Sequence, residues 1–300
     1  MLGDKVKNYL HLHIIVFLWG FTAVLGALIT LEALPLVWYR MLIASLVLGV
    51  VLVFKKRKTK LSFKLLMQLF LAGSTLALHW VCFFEAIKVS NVSVTLICIA
   101  TGAFFAAILE PIFYKRKIVL YEIILGTITI LGLLFIFNLD THYLLGIVLG
   151  LSAAFLSALL SILNGKLAKQ YDAALISFYE LSFGVLFITG MLLFRKPEFF
   201  ETIFTLTFED FSALLVLAVV CTAYAFLSSV KVMRFLSPYT VMLTINLEPV
   251  YGVVLAYLFL DESERMSVGF YVGGLVILAT VLLNGYLKTR KKRKSVPSTT

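Results

Sequence analysis

The chain has 300 residues, 61% of them apolar and 14% charged, with a mean hydropathy of +1.03. A soluble chain is about half apolar and about a quarter charged, so this composition excludes a water-soluble globular fold and describes a polytopic membrane protein. The net charge of +10 lies in short stretches between apolar runs and in the tail, where basic residues orient a chain in the bilayer rather than bind nucleic acid.

A helix needs about 20 apolar residues to cross a bilayer. Ten runs reach that length: residues 9–30, 35–54, 64–87, 90–114, 119–137, 143–165, 174–194, 211–231, 238–260 and 267–287. Their apolar character is continuous rather than alternating, which excludes a membrane barrel. The run after Tyr9 is too long for a cleavable signal and no small-residue cleavage site follows it. Cys82, Cys98 and Cys221 lie inside runs without metal-ligand spacing and are expected to pack.

With the N-terminus inside, 21 of the 26 Lys and Arg fall on the inner side, among them Lys55 to Lys60, Lys115 to Lys117 and Lys288 to Lys294. Lys88, Arg195, Lys196 and Arg265 fall outside, and Arg40 lies within a run. This split predicts an even number of spans in a cell membrane, with both termini cytoplasmic. The longest external loop, 195–210, leaves no room for a soluble catalytic domain, and no GxxxxGK[ST] loop occurs.

Residues 237–264 (SPYTVMLTINLEPVYGVVLAYLFLDESE) align at an offset of 147 with residues 90–117 (SNVSVTLICIATGAFFAAILEPIFYKRK). Ser237 falls on Ser90, Leu243 on Leu96, Glu248 on Thr101 and Pro249 on Gly102. The exit turn changes sign, from Lys115, Arg116 and Lys117 to Asp261, Glu262 and Glu264. Five spans per copy is odd, so the second copy enters from the opposite side, as in inverted-repeat transporters. The expected fold is therefore all-α: ten transmembrane helices in two inverted five-helix repeats, 9–137 and 143–287, followed by a basic cytoplasmic tail, 288–300.

Five features in order across the chain now carry a resemblance: Trp19-Gly20, then Pro35 with Arg40, then Leu247-Glu248-Pro249, then Asp261-Glu262, then Gly273-Gly274. Over residues 10–287 the chain resembles the EamA-like branch of the drug/metabolite transporter superfamily. The resemblance implies a secondary transporter, usually an exporter of amino acids or other small metabolites, without a prosthetic group. The chain departs from the pattern at Gly102 and Lys115 in run 4, and at Glu180 in run 7, where run 2 carries Arg40.

Ionisable residues inside a bilayer are costly and face the bundle interior. Glu248 is about ten residues from either end of its run, near the midplane by the helical rise. Thr240, Thr244, Glu248 and Tyr251 share one helical face, and Asn246 beside them and Thr101, the repeat position of Glu248, are further candidates. Glu248 is thus the leading candidate for substrate binding or proton coupling, with a structural carboxylate as the alternative. Pro249 lacks an amide donor and is expected to kink run 9. His79, on one face with Thr75 and Cys82, is a candidate relay or a packing residue. Trp19 and Trp80 are candidate cavity walls. Tyr224 with Ser228 and Lys231, and Asn164 with Ser157 and Ser161, are candidate polar faces. Arg40 is expected to snorkel outward and pair with Glu85 or Glu32. Glu180 is expected to form an inner cluster with Glu110, Lys166 and Lys231, making two gates. Gly146 with Gly150 and Gly269 with Gly273 are expected to be close-packing positions.

The leading functional reading is a secondary transporter of small organic metabolites such as amino acids, working by alternating access, with export and proton coupling as expectations. Its partners are a small solute and the lipid bilayer, in a monomer or homodimer, with no nucleic acid. Multidrug efflux is the alternative. A channel is disfavoured because it usually uses subunit symmetry, and an enzyme because no HExxH or GxSxG occurs.

Overall fold

The computed structural model describes residues 2–55, 61–115, 117, 119–137, 143–201, 205–260 and 268–294. Arg57, Arg116, the acidic turn at Asp261, Glu262 and Glu264, and Arg265 lie outside the described residues, as do residues 295–300 of the tail. Every regular element among the described residues is helical. The first half of the chain forms α1 (Leu2–Leu28), α2 (Ala33–Lys55), α3 (Phe63–Val89), α4 (Val92–Ile99), α5 (Gly102–Tyr114) and α6 (Leu120–Phe137). The second half forms α7 (Leu144–Leu167), α8 (Ala173–Arg195), α9 (Phe208–Ala218), α10 (Ala225–Val232), α11 (Pro238–Ile245), α12 (Glu248–Phe259) and α13 (Val268–Lys294). Among the described residues eight segments are long and apolar enough to cross a membrane, counting 92–114, 208–232 and 238–259 as one each. Helices α6 and α13 pack against each other beside these.

Local chemistry starts several helices as the sequence suggests. Ser62, Asn91, Asp172, Thr207 and Ser237 each accept a backbone N–H of their own first turn, a cap contributing about 1 kcal/mol. The two halves then interlock rather than lie side by side. Helix α3 packs on α7 and α8, α2 on α8, α1 on α12, and α4 on both α7 and α12. Small residues permit the closest crossings. A Cβ at Gly73 of α3 would collide with the backbone carbonyl oxygen of Glu180 in α8. One at Gly20 of α1 would sit 3.0 Å from the Gly252 amide nitrogen of α12. Gly146 and Gly150 of α7 lie against Ser90 and Cys98.

Runs 4 and 9 are each broken in the middle. Run 9 is interrupted beside Pro249, where a kink is expected, and run 4 has a matching interruption: α4 ends at Ile99 and α5 restarts at Gly102, while α11 ends at Ile245 and α12 restarts at Glu248. At the first break the Thr101 amide and hydroxyl both reach the Cys98 carbonyl, at 3.0 and 2.7 Å. At the second the Leu247 amide takes the Thr244 carbonyl at 3.0 Å. These three-residue steps tighten the backbone and halt the α pattern. Pro111, by contrast, sits inside α5 without ending it. Proline is therefore neither necessary nor sufficient for a break here. The breaks coincide at the 147-residue offset, Thr101 against Glu248.

A third irregularity was not foreseen. Between α9 and α10 the chain makes a π-helical turn, Val219–Tyr224. The Thr222 hydroxyl donates to the carbonyl of Leu217, five residues back, at 2.7 Å. Such turns are rare and concentrate at functional sites.

Candidate functional site

The interlocked halves leave between them a cavity of about 70 Å³, measured as room for the centres of water molecules. It is walled by α1, α2, α3 and α4 from the first half and α7, α10, α11 and α12 from the second. Trp19, Trp80, Phe83 and Phe226 supply the apolar faces, and Thr22, Ser157, Ser161 and Ser229 supply hydroxyls. Arg40, His79, Asn164 and Glu248 supply the strongly polar groups.

Arg40 is the feature that defines the cavity. Its side chain is fully buried. Nε donates to the Thr222 hydroxyl at 2.5 Å, and the guanidinium carbon lies 3.9 Å from the centre of the Trp80 ring. Both terminal nitrogens, Nη1 and Nη2, have no hydrogen-bond partner among the described residues. The expected outward snorkelling and pairing with Glu85 or Glu32 are therefore corrected. Glu32 pairs with Lys196 instead, and Glu85, half-buried, is not bonded to Arg40. Counting residues along a helix gives depth but not azimuth, and α2 turns Arg40 inward onto Trp80 and the π turn. A desolvated cation–π contact contributes on the order of 2 kcal/mol, less than the several kcal/mol of hydration that a buried cation gives up. The two free nitrogens thus leave the guanidinium poised for an anionic group.

Glu248 begins α12 at the break, is buried, and faces the same cavity. It is not in hydrogen-bond contact with Arg40, so the cavity carries an acidic and a basic group that do not neutralise each other by touching. His79 is anchored through Nδ1 to the Ala153 carbonyl, at 2.8 Å. Asn164 gives its Nδ2 to Glu180 Oε2 at 3.1 Å while lining the cavity.

Other expected residues do not line the cavity. The four-residue face drawn through Thr240, Thr244, Glu248 and Tyr251 assumes a continuous helix, and the break at 246–247 ends it. Thr244 bonds the Thr240 carbonyl, and Tyr251 packs edge-on to Phe17 with centroids 5.6 Å apart. Asn246 is fully buried within the break with neither side-chain polar atom partnered. Thr101 is spent on its own backbone. Tyr224 is 45% exposed and bonds His11 at 3.0 Å, away from the cavity. The inner cluster around Glu180 is likewise corrected. Lys231 is exposed, Lys166 lies 5.3 Å from the Phe113 and Tyr114 ring centres, Glu110 is buried on α5, and Asn164 is the group that reaches Glu180.

At one end of the bundle the halves are tied together. The Asp210 carboxylate accepts the Thr30 amide at 2.8 Å and the Thr30 hydroxyl at 2.5 Å. Lys88 donates to the Ile29 carbonyl and Lys196 to Glu32. Trp38, Tyr39, Phe199 and Phe200 stack edge to face above this network. At the opposite end the halves meet through the exposed pair Lys55–Asp172 at 3.7 Å, a type worth about 0–1 kcal/mol, and through the Tyr114 hydroxyl, which donates to the Ile162 carbonyl at 3.2 Å with Lys166 and Lys169 beside its ring.

Comparison with known proteins agrees with this architecture. Residues 7–138 and 144–286 match the model of the EamA-like transporter family. An uncharacterized transporter of Archaeoglobus fulgidus is 26% identical over 300 residues, spanning 96% of this chain and 99% of the archaeal protein. A crystal structure superposes with a TM-score of 0.69 over 94% of this chain and 98% of that one, at 12% identity. At that identity the likeness shows the fold alone.

Proposed function

Because the chain belongs to the EamA-like transporter family, and is therefore a multi-pass membrane transporter, we infer that it is a secondary exporter of small zwitterionic metabolites of the amino-acid type. The observation that carries this reading is the cavity's unneutralised pair of charges. Arg40 offers two free N–H-bearing nitrogens to a carboxylate, and Glu248 offers a carboxylate to an ammonium. Thr22, Ser161 and Ser229 can hold the remaining polar atoms, and the aromatic walls can take an apolar side chain. Proton coupling is assigned to Glu248, the acidic group on the solute's path.

Alternating access follows from the same layout. The Thr30–Asp210 and Glu32–Lys196 ties hold one end, and we read the described state as closed at that end. We place that end outside and both termini in the cytoplasm, in the cell membrane, from the distribution of Lys and Arg. Helices α6 and α13 are taken as the fifth and tenth spans of two inverted repeats. The matching breaks in runs 4 and 9 support that pairing, since discontinuous helices flank the site in inverted-repeat transporters.

Counterflow in proteoliposomes tests the solute. Radiolabelled amino acids should exchange saturably, and unlabelled amino acids should compete, while their decarboxylated amines and deaminated acids should not. If amines alone compete, the cavity serves lipophilic cations. The aromatic walls favour that second reading, and Arg40 opposes it through like-charge repulsion.

A further inference from the structure

Behind Asn164, on the side away from the central cavity, three buried oxygens lack partners. Glu180 and Ser177 are fully buried and Asn164 nearly so. Glu180 Oε1, Asn164 Oδ1 and Ser177 Oγ have no hydrogen-bond partner. The three side chains are neighbours. Asn164 Nδ2 bonds Glu180 Oε2 at 3.1 Å, and Ser177 precedes Glu180 by three residues, one turn away on the same face of α8. Helix α3 seals the cluster, since Gly73 brings its backbone against that of Glu180.

Among the described residues no cationic side chain answers the Glu180 carboxylate. Lys55 is turned to Asp172, Lys166 to the Phe113 and Tyr114 rings, and Lys231 to the surface. Arg40 is committed to Thr222 and Trp80 in the cavity. A buried carboxylate without a counter-charge is strongly disfavoured, and unpaired buried hydroxyl and amide oxygens add to that cost. One occupant relieves all of it: a cation that supplies the missing charge and takes the three oxygens as ligands.

We propose that Glu180, Asn164 and Ser177 form a binding site for a small monovalent cation, with sodium as the chemically matched ion. The donors are all hard oxygens, which exclude soft-metal chemistry. One carboxylate with two neutral ligands balances a single positive charge, where calcium sites draw on more ligands and more carboxylates. The site also has a route to the solute. Asn164 lines the central cavity and reaches Glu180 with the same amide, so an ion that holds Asn164 Oδ1 fixes a wall of the solute cavity. Cation occupancy and solute binding are coupled through that one side chain.

Sodium chloride is titrated into the purified full-length protein at constant pH, with choline chloride holding the ionic strength, and thermal unfolding and tryptophan fluorescence are read. The wild type should show a saturable sodium-dependent rise in unfolding temperature that choline does not give. Glu180→Gln should abolish it, and Ser177→Ala, which removes one neutral ligand, should weaken apparent sodium affinity while leaving the sodium-free unfolding temperature nearly unchanged. Glu248→Gln should retain the full response. No sodium-dependent shift in folded wild type overturns the site, and so does an undiminished shift in both Glu180→Gln and Ser177→Ala. A response to pH alone, with sodium inert, assigns a proton to Glu180 and overturns the cation. Because no solute is added, these outcomes are independent of whether the amino-acid reading holds.

Discussion

Thr30 gives both its backbone amide and its hydroxyl to the carboxylate of Asp210, at 2.8 and 2.5 Å, across 180 residues of sequence. The carboxylate is buried, and it joins the end of α1 to the start of α9. Hydrogen bonds to a charged group contribute about 1.5–3 kcal/mol each, so this contact is a strong local tie. Asp210→Ala removes both acceptor oxygens from the two Thr30 donors. We expect that variant to open its end of the bundle. In a background lacking Cys82, Cys98 and Cys221, a cysteine at position 22 should then react faster with an impermeant thiol reagent added from the Asp210 side. An unchanged labelling rate would remove the latch role.

Arg40 should be needed for transport but not for folding. Arg40→Met fills the same space without a charge, and replacing buried ionic groups by apolar ones of similar volume is often neutral or stabilising. The variant should unfold within a few degrees of the wild type, while amino-acid counterflow disappears. Thr222→Val should do the reverse in stability: it strips the guanidinium of its remaining hydrogen bond, at a cost of about 1–3 kcal/mol. Thermal unfolding and counterflow on both variants separate the two roles.

Two glycines on the same bundle should respond to alanine with opposite sign. A methyl at Gly73 meets the Glu180 carbonyl oxygen, whereas nothing lies within 4 Å of the position at Gly190. Gly73→Ala should lower stability by roughly 1–3 kcal/mol through overpacking. It should also weaken solute binding, because α3 carries His79, Trp80 and Phe83 to the cavity. Gly190→Ala should raise helix stability by about 0.5–1 kcal/mol. Unfolding temperatures of the pair check both signs in one experiment.

Glu248→Gln keeps volume and most hydrogen-bonding capacity but removes the ionisable proton. Gradient-driven transport should be lost while solute exchange at equal pH persists. Loss of folded yield would mark a structural carboxylate instead. Intact, pH-responsive, gradient-driven transport would end the coupling role.

Much of the architecture is legible in the residues. The apolar runs mark the helices, and the 147-residue offset aligns two segments that turn out to break at the same place. Trp19, Trp80, His79, Asn164 and Glu248 all reach one cavity, because polar or aromatic groups inside an apolar run have few other favourable places to face. Azimuth was not legible. Arg40 was placed by depth, and depth alone pointed to the surface. Tyr224 and Lys231 share one face by 3.6-residue spacing, and that face is the exposed one. Thr222, which holds Arg40, lies in the run VVCTAY, and nothing in that composition signals an i−5 hydrogen bond. Glu180 was expected among lysines, but long lysine stems leave the bilayer interior for its edges, and the shorter Asn164 is what remains within reach.

The turn at Val219–Tyr224 has a mechanical consequence. An α-helix advances about 100° per residue, so one additional residue in a turn introduces a phase offset of that size between the segments on either side. The rod from Phe208 to Val232 is consequently keyed twice. Its first segment meets Thr30 through Asp210, and its second aims Phe226 and Ser229 at the solute cavity, each in its own phase. Excising a single residue from 219–224 would bring the two segments into one phase, and the rod could then satisfy the latch or the cavity, but not both.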